Sequence, residues 1–234
     1  MSAAERFPNG HLLWTPEELA SRLGDENLVI LDVRSTHQVV EGFIPGAAHL
    51  DIYGLSITKT VSPLFEEFIN LMRSLLAMRG VGMERTVVLY EDDVTGMRAG
   101  RVFWLLEYFG HTDAHILDGG INAWRDSGQE TSTKMKAPKP HSLPISPREE
   151  IFITADALHG LLGSEDLLVL DTRTDDEYYG RNKRGGPRGG AIPGSVHLEW
   201  VHYLDQRGRV KPPAELLALF ESHGVTRDKA IVPI

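Results

Sequence analysis

Apolar residues along this chain fall into short unbroken runs separated by helical stripes. Runs over 28–31, 86–90 and 114–117 are nearly all apolar and are bounded by polar or turn residues. That pattern predicts strands buried on both faces. Thr15-Pro16-Glu17-Glu18 predicts a helix start. Thr15 can cap, Pro16 suits the first helical position, and Glu18 can reach back to the cap amide. This helix is expected to end near Gly24. Pro63 opens a second helix whose apolar stripe is Leu64, Phe65, Phe68, Ile69, Met72 and Leu76. A third helix is expected over 98–109, stopping at Gly110, and a short one over 121–127, stopping at Gly128. Pro45-Gly46, Asp118-Gly119-Gly120 and Pro193-Gly194 read as turns.

The pattern is written twice. LVILDVR at 28–34 recurs as LLVLDTR at 167–173, an offset of 139 (167 − 28). TPEEL at Thr15 matches TADAL at Thr154 with the same offset of 139 (154 − 15). IPGAAHLD at Ile44 matches IPGSVHLE at Ile192, an offset of 148, so the second copy carries nine extra residues (148 − 139). GVGMERTVVLY at 80–90 matches GVTRDKAIVPI at 224–234. Four blocks in one order predict two homologous units. Each is of the α/β class, a mainly parallel sheet with helices on both faces. Sites in such sheets lie in loops at the carboxyl ends of strands. The expected division is a first domain over 8–130, a linker over 131–150 and a second domain over 151–234. The linker holds Pro138, Pro140, Pro144 and Pro147 and is expected to be extended and semi-rigid.

Charge and composition narrow the function. The 234 residues carry a net charge of −9, a poor match to nonspecific binding of nucleic acid or an anionic membrane. No apolar run approaches the roughly 18 residues of a membrane span. The opening MSAAERFPNG lacks the basic and apolar regions of a secretory signal, so a cytoplasmic location is expected. Cysteine is absent, which excludes disulfides and thiolate chemistry within these residues. No phosphate-loop, zinc-protease or nucleophile-elbow motif occurs, and no metal or other cofactor is expected.

LDVR and LDTR, EGFIPGAAHLD and GGAIPGSVHLEW, and above all RVFWLLEYFGHTDAHILDGGINAW at 101–124 resemble the tandem-domain rhodaneses. These are thiosulfate and 3-mercaptopyruvate sulfurtransferases. The resemblance runs from about Leu12 to Ile234. It implies two rhodanese-like domains, the first non-catalytic. It also implies a cysteine in the second that carries sulfane sulfur as a persulfide. That cysteine follows the strand reading AIVPI at 230–234, so it is expected just beyond Ile234. The second domain is thus expected to be incomplete and the 234 residues by themselves inactive. The first copy continues 38 residues past the matching point, from Tyr90 to Gly128 (128 − 90). Its loop carries Glu91, Asp92 and Asp93 where the active domain has a thiol, and reads as a solvated acidic cap on a helix start.

Three residues are expected to bind substrate: Arg188, Arg173 and Glu177. Arg188 belongs to a basic, glycine-rich stretch over 180–190 that holds four cations and the nine-residue insertion. Such a stretch is either a rim that draws an anionic donor or a solvated loop. Glu177 stands where some thiosulfate-preferring members have Arg, or is an exposed carboxylate at a helix start. Asp171 with Arg173, and Asp32 with Arg34, share one spacing, and side chains two apart on a strand point the same way. Asp171, Asp32 and Arg34 are expected to be structural, pinning strand ends to the IPG turn. His111 and His115 are expected not to ligate a metal, and His49 and His197 to pack near the domain cores.

Three functions compete. The first is a sulfurtransferase acting on a small anionic sulfur donor and a thiophilic acceptor. The second is a cysteine-free interaction module. The third is a relative of the dual-specificity phosphatases that share the fold. Val232 is expected near the middle of the second sheet, which favours an incomplete enzyme over a module.

Overall fold

A computed structural model of the chain describes residues 7–57, 59–92 and 96–234. It divides into two compact units, Met1–Phe152 and Ile153–Ile234.

In the first unit the strands are β1 (Leu13–Trp14), β2 (Leu28–Asp32), β3 (Ala48–His49), β4 (Thr86–Tyr90) and β5 (Ala114–Leu117). They lie in the order β1-β5-β4-β2-β3, and every pairing is parallel. The helices are α1 (Pro16–Ser21), α2 (Thr36–Val39), α3 (Leu64–Met78), α4 (Met97–Tyr108) and α5 (Gly120–Asp126). Alternation along each strand sends successive side chains to opposite faces. Val29, Leu31, Val87 and Leu89 meet Ile69, Met72 and Leu76 of α3 and Val102, Leu105 and Leu106 of α4. Ile30, Val88, Tyr90 and Leu117 meet Leu19 of α1, Val39 of α2, and Ile121 and Trp124 of α5. The unbroken apolar runs are thus explained by helices covering both faces. Thr15 and Glu18 close the capping box of α1 reciprocally, at 3.2 and 2.7 Å. The α3 stripe differs at one end: Leu64 is exposed, while Ile69, Met72 and Leu76 are buried.

The proline-rich segment is extended, but it is strapped to the first unit. Phe43 bridges Ser132 in antiparallel fashion. The amides of His141, Ser146 and Arg148 donate to the carbonyls of Ala77, Phe109 and Tyr108 at 2.9, 3.0 and 2.8 Å. Leu143 is buried, Ile145 packs beside it, and Phe152 stacks on Phe65 at 5.2 Å. Prolines prevent the segment from building a ladder of its own. Its few apolar side chains then settle on the nearest apolar surface.

The second unit repeats the centre of the first. Strands β6 (Leu167–Asp171), β7 (Val196–His197) and β8 (Ala230–Pro233) lie in the order β7-β6-β8, all parallel. That is the order β3-β2-β4 of the first unit. Helices α6 (Ala155–Leu161), α7 (Asp175–Tyr178) and α8 (Pro213–Ser222) accompany them. Leu168, Leu170 and Leu198 form the core with Tyr203, Leu219, Phe220 and Ile231 around them. Among the described residues β8 is an edge strand and Val232 is only partly buried.

Candidate active site

Both units build the same clasp at the carboxyl end of their second strand position. In the first, the Arg34 amide and Nε donate to Asp32 Oδ1 at 3.1 and 2.9 Å, and Nη2 donates to Oδ2 at 2.6 Å. In the second, Arg173 makes the same three bonds to Asp171, at 3.1, 2.9 and 2.6 Å. Each guanidinium then reaches the carbonyl of a glycine just before the IPG turn, Gly42 at 2.8 Å and Gly190 at 3.0 Å. His49 and His197 close the clasp by bonding the carbonyls of Arg34 and Arg173 at 2.9 and 2.8 Å. The Asp-x-Arg spacing brings the fork and the carboxylate together on one side of the strand. The two clasps differ in water access. The Arg34 side chain is 1% exposed, the Arg173 side chain 35%. Burial works against the Arg34 charge, but the bonds and field of Asp32 outweigh it and raise its pKa.

The short helix after each clasp aims its third residue at the neighbouring loop. In the first unit Gln38 accepts from the Ser35 amide at 3.2 Å, and its Nε2 donates to the Asp92 carboxylate just after β4. In the second unit the matching residue is Glu177. It is buried, not an exposed helix-start carboxylate. Thr174 donates its hydroxyl to Glu177 Oε2 at 2.7 Å, and Arg184 donates to Oε1 at 2.8 Å. Burial disfavours the ionised form, yet these donors hold the carboxyl below the usual range.

The basic stretch is folded onto α7. Arg181 pairs with Asp176 at 2.6 Å and Arg184 with Glu177, while the Asn182 amide donates to the Asp176 carbonyl at 2.8 Å. Its neck is closed by glycines: a Cβ on Gly189 would stand 2.7 Å from the Gly180 carbonyl oxygen. Arg188 is exposed, and no hydrogen bond or ion pair joins its side chain to another described residue.

The end of the fourth strand position differs between the units. Tyr90 donates its hydroxyl proton to Asp32 Oδ2 at 2.7 Å and accepts the Ile44 amide at 3.1 Å. Burial first, and then the Asp32 charge, push its pKa up. Ile234 holds the matching place. Its amide donates to the Leu170 carbonyl at 2.9 Å, and its carbonyl accepts the Thr172 amide and hydroxyl at 2.9 and 2.8 Å. One residue past Tyr90, Glu91 is buried, so the acidic loop is not solvated there. Its two carboxylate oxygens lie 3.3 Å from the amides of Arg98 and Ala99 at the start of α4. Gly120 makes this tight corner possible, since a Cβ there would lie 2.1 Å from the Glu91 carbonyl oxygen. Asp93 lies outside the described residues.

Residues 15–127 match the rhodanese-like domain family. The chain is 32% identical over 226 residues to the thiosulfate sulfurtransferase of Pseudomonas aeruginosa, covering 97% of this chain and 83% of that one. It is 31% identical over 225 residues to a second protein of that organism, named "Probable 3-mercaptopyruvate sulfurtransferase", covering 90% and 78%. This chain belongs to the rhodanese family of sulfurtransferases. Among solved structures it resembles SseA from Escherichia coli, a 3-mercaptopyruvate sulfotransferase by its description. The TM-score is 0.80 at 24% identity, over 95% of this chain and 87% of that one.

The rhodanese fold brings Asp171, Arg173, Glu177 and Arg184 to one end of the second sheet, and leaves Arg188 exposed. It holds Asp32 and Arg34 in the first unit. No cluster of three or more His, Cys, Asp or Glu side chains suited to a metal forms among the described residues. His111 and His115 instead bond backbone carbonyls. No helix of the described residues is long and apolar enough to cross a membrane. The pairings of Arg184 with Glu177 and of Tyr90 with Asp32 were missed in sequence. A signal for the first was present: an acid seven residues before an arginine in a glycine-rich stretch. The second joins residues 58 apart and left none.

Proposed function

We propose that this rhodanese moves a sulfane sulfur from a small anionic donor, thiosulfate or 3-mercaptopyruvate, to a thiophilic acceptor such as cyanide. The carrier is a cysteine that follows β8. Its thiolate attacks the outer sulfur of thiosulfate, forming a persulfide S–S bond. The donor's S–S bond breaks, and sulfite leaves with that electron pair. Cyanide then attacks the outer persulfide sulfur, and thiocyanate departs as the thiolate is restored. Neither nucleic acid nor membrane takes part, and a cytoplasmic location belongs to the same proposal, supported by composition alone.

One observation carries the reading. In the first unit the residue after the fourth strand position is the anion Glu91, received by the first amides of α4. A negative group at a helix start is stabilised by the unpaired amides and the helix dipole. The same station after Ile234 suits a thiolate, which such surroundings keep ionised. The bonds from Ile234 to Leu170 and Thr172 tie the end of β8 to the end of β6, where the Asp171–Arg173 clasp lies, and this supports the proposed place of the carrier. Arg188 is the proposed contact for the donor anion. Arg173 sets the floor of the site. Glu177 acts on the donor through its charge, which Arg184 offsets.

The test has two parts. The 234 residues alone are expected to form no thiocyanate from thiosulfate and cyanide; turnover above a mock preparation would overturn the cysteine-dependent reading. The coding sequence beyond Ile234 is expected to bring a Cys within the next residues. A stop codon there would replace the enzyme with a cysteine-free binding module, the reading that the absence of cysteine favours.

A further inference from the structure

Helix α3 carries two apolar stripes. Ile69, Met72 and Leu76 are buried in the core of the first unit. A second stripe, Leu64, Phe68, Leu71, Leu75 and Met78, advances in alternating steps of four and three residues. That alternation is the seam of a two-helix coiled coil. Leu64, Leu71 and Met78 are 47%, 47% and 53% exposed, and Phe68 and Leu75 stand half-buried beside them. The fold does not require this second stripe. Helix α8 holds the matching place in the second unit, before GVTRDK as α3 stands before GVGMER. Leu217 is its one large apolar side chain that is exposed, and Glu221 stands four residues further on.

We propose that this seam pairs two copies of the chain, α3 against α3, in antiparallel fashion about a two-fold axis. One register satisfies the whole seam. It sets Leu64 level with Leu75 of the other copy and Phe68 level with Leu71, and the two-fold repeats both pairs. Met78 then falls level with Val61, which is exposed just before the helix start. A contact of this kind is self-complementary and closes at two copies.

Charge selects the antiparallel direction. Glu66 and Glu67 lie in the first turn of α3, while Arg73 and Arg79 lie toward its other end. Antiparallel pairing sets the acidic end of each helix beside the basic end of the other and opposes the two helix dipoles. Glu67, which flanks the seam, then comes near Ser74 of the other copy. A parallel pair would crowd all these carboxylates at one end. The seam is much smaller than the roughly 20–30 residues a side of a standard interface, so the dimer is expected to be weak and to follow concentration.

Sedimentation velocity of the 234-residue chain tests this. Between about 5 and about 200 μM the mass is expected to rise from 26.0 kDa toward twice that value. Leu71→Glu puts a carboxylate into the seam and is expected to weaken association about tenfold or more, with the far-ultraviolet circular dichroism unchanged. Leu217→Glu, on α8, is expected to leave association as it was. The chain has no cysteine, so an introduced one is its sole thiol. Leu71→Cys lies near the axis, and a short bis-maleimide is expected to join the two copies there. Glu66→Cys, on another side of α3, is expected to stay unlinked. A chain that remains monomeric over the whole range would overturn the pairing. So would equal linking of the two thiol variants, or a dimer lost on Leu217→Glu and kept on Leu71→Glu.

Discussion

Tyr90 donates its hydroxyl proton to Asp32 at 2.7 Å, and the second unit has no such bond, because Ile234 stands at the matching position. The same hydroxyl accepts the Ile44 amide, so one atom ties the fourth strand position to the clasp and to the IPG turn. Tyr90→Phe removes both bonds while leaving the ring in place. Buried groups that lose a partner cost about 1–3 kcal/mol. A loss of that size is expected in urea unfolding followed by the fluorescence of Trp104 and Trp124, both in the first unit. No loss would mean that water replaces the hydroxyl.

The two clasps are chemically alike and differ in burial, so the same substitution has unequal effects. Arg34→Met leaves Asp32 charged, buried and without its main partner, at a cost of about 3–5 kcal/mol. Arg173 is 35% exposed, and water can solvate Asp171 once the guanidinium is gone. Arg173→Met is expected to cost roughly 1–2 kcal/mol, nearer to a surface pair. Unfolding monitored at Trp200 reports the second unit. Equal losses would mean that burial does not set the strength of the clasp.

Glu91 caps α4 from within the core. Glu91→Ala removes the acceptor for the Arg98 and Ala99 amides and is expected to cost about 1–2 kcal/mol. Hydrogen exchange localises the effect: the first turn of α4 should lose protection while β2 keeps its own.

Burial holds His111 below its ordinary value of 6.5, against the opposing pull of Gly82 and Asp113. The folded chain therefore prefers the neutral ring. Stability from this source is complete above pH 6.5 and falls as pH drops through 6.5 toward the folded value, because the unfolded chain takes the proton first. His111→Gln is expected to flatten the slope of melting temperature against pH in that range. Glu177 acts with the same sign in a lower window: its contribution is complete above its ordinary 4.5 and is lost as pH falls through the folded value.

Arg188 offers the test of substrate contact. In a form of the enzyme that carries the cysteine, Arg188→Ala is expected to raise the KM for thiosulfate several-fold at low salt and less at high salt, with kcat nearly unchanged. Arg181→Ala, which breaks a pair with Asp176, should leave KM close to its starting value. Identical behaviour of the two variants would mean that the loop acts only by net charge.

Much of this protein is written locally. The repeated blocks, the apolar strand runs, the Thr15–Glu18 box and the turns at Gly110 and Gly128 depend on neighbours a few residues apart. Short-range sterics and periodicity make them legible. The Asp-x-Arg clasp was also readable, since residues two apart share a side of the strand. The family followed from those blocks and from the Arg101–Trp124 motif. Tertiary structure alone decided the rest. The proline-rich segment lies against the first unit because Leu143 finds buried space there, and no local pattern names that surface. Glu91 is buried, not solvated, because Gly120 lets the chain pass within contact of its backbone. Tyr90 reaches Asp32, and His115 reaches the His11 carbonyl 104 residues away, only after parallel strands are brought side by side. Burial and hydrogen-bond partners of polar groups are properties of long-range packing, and one-dimensional order carries little of that information.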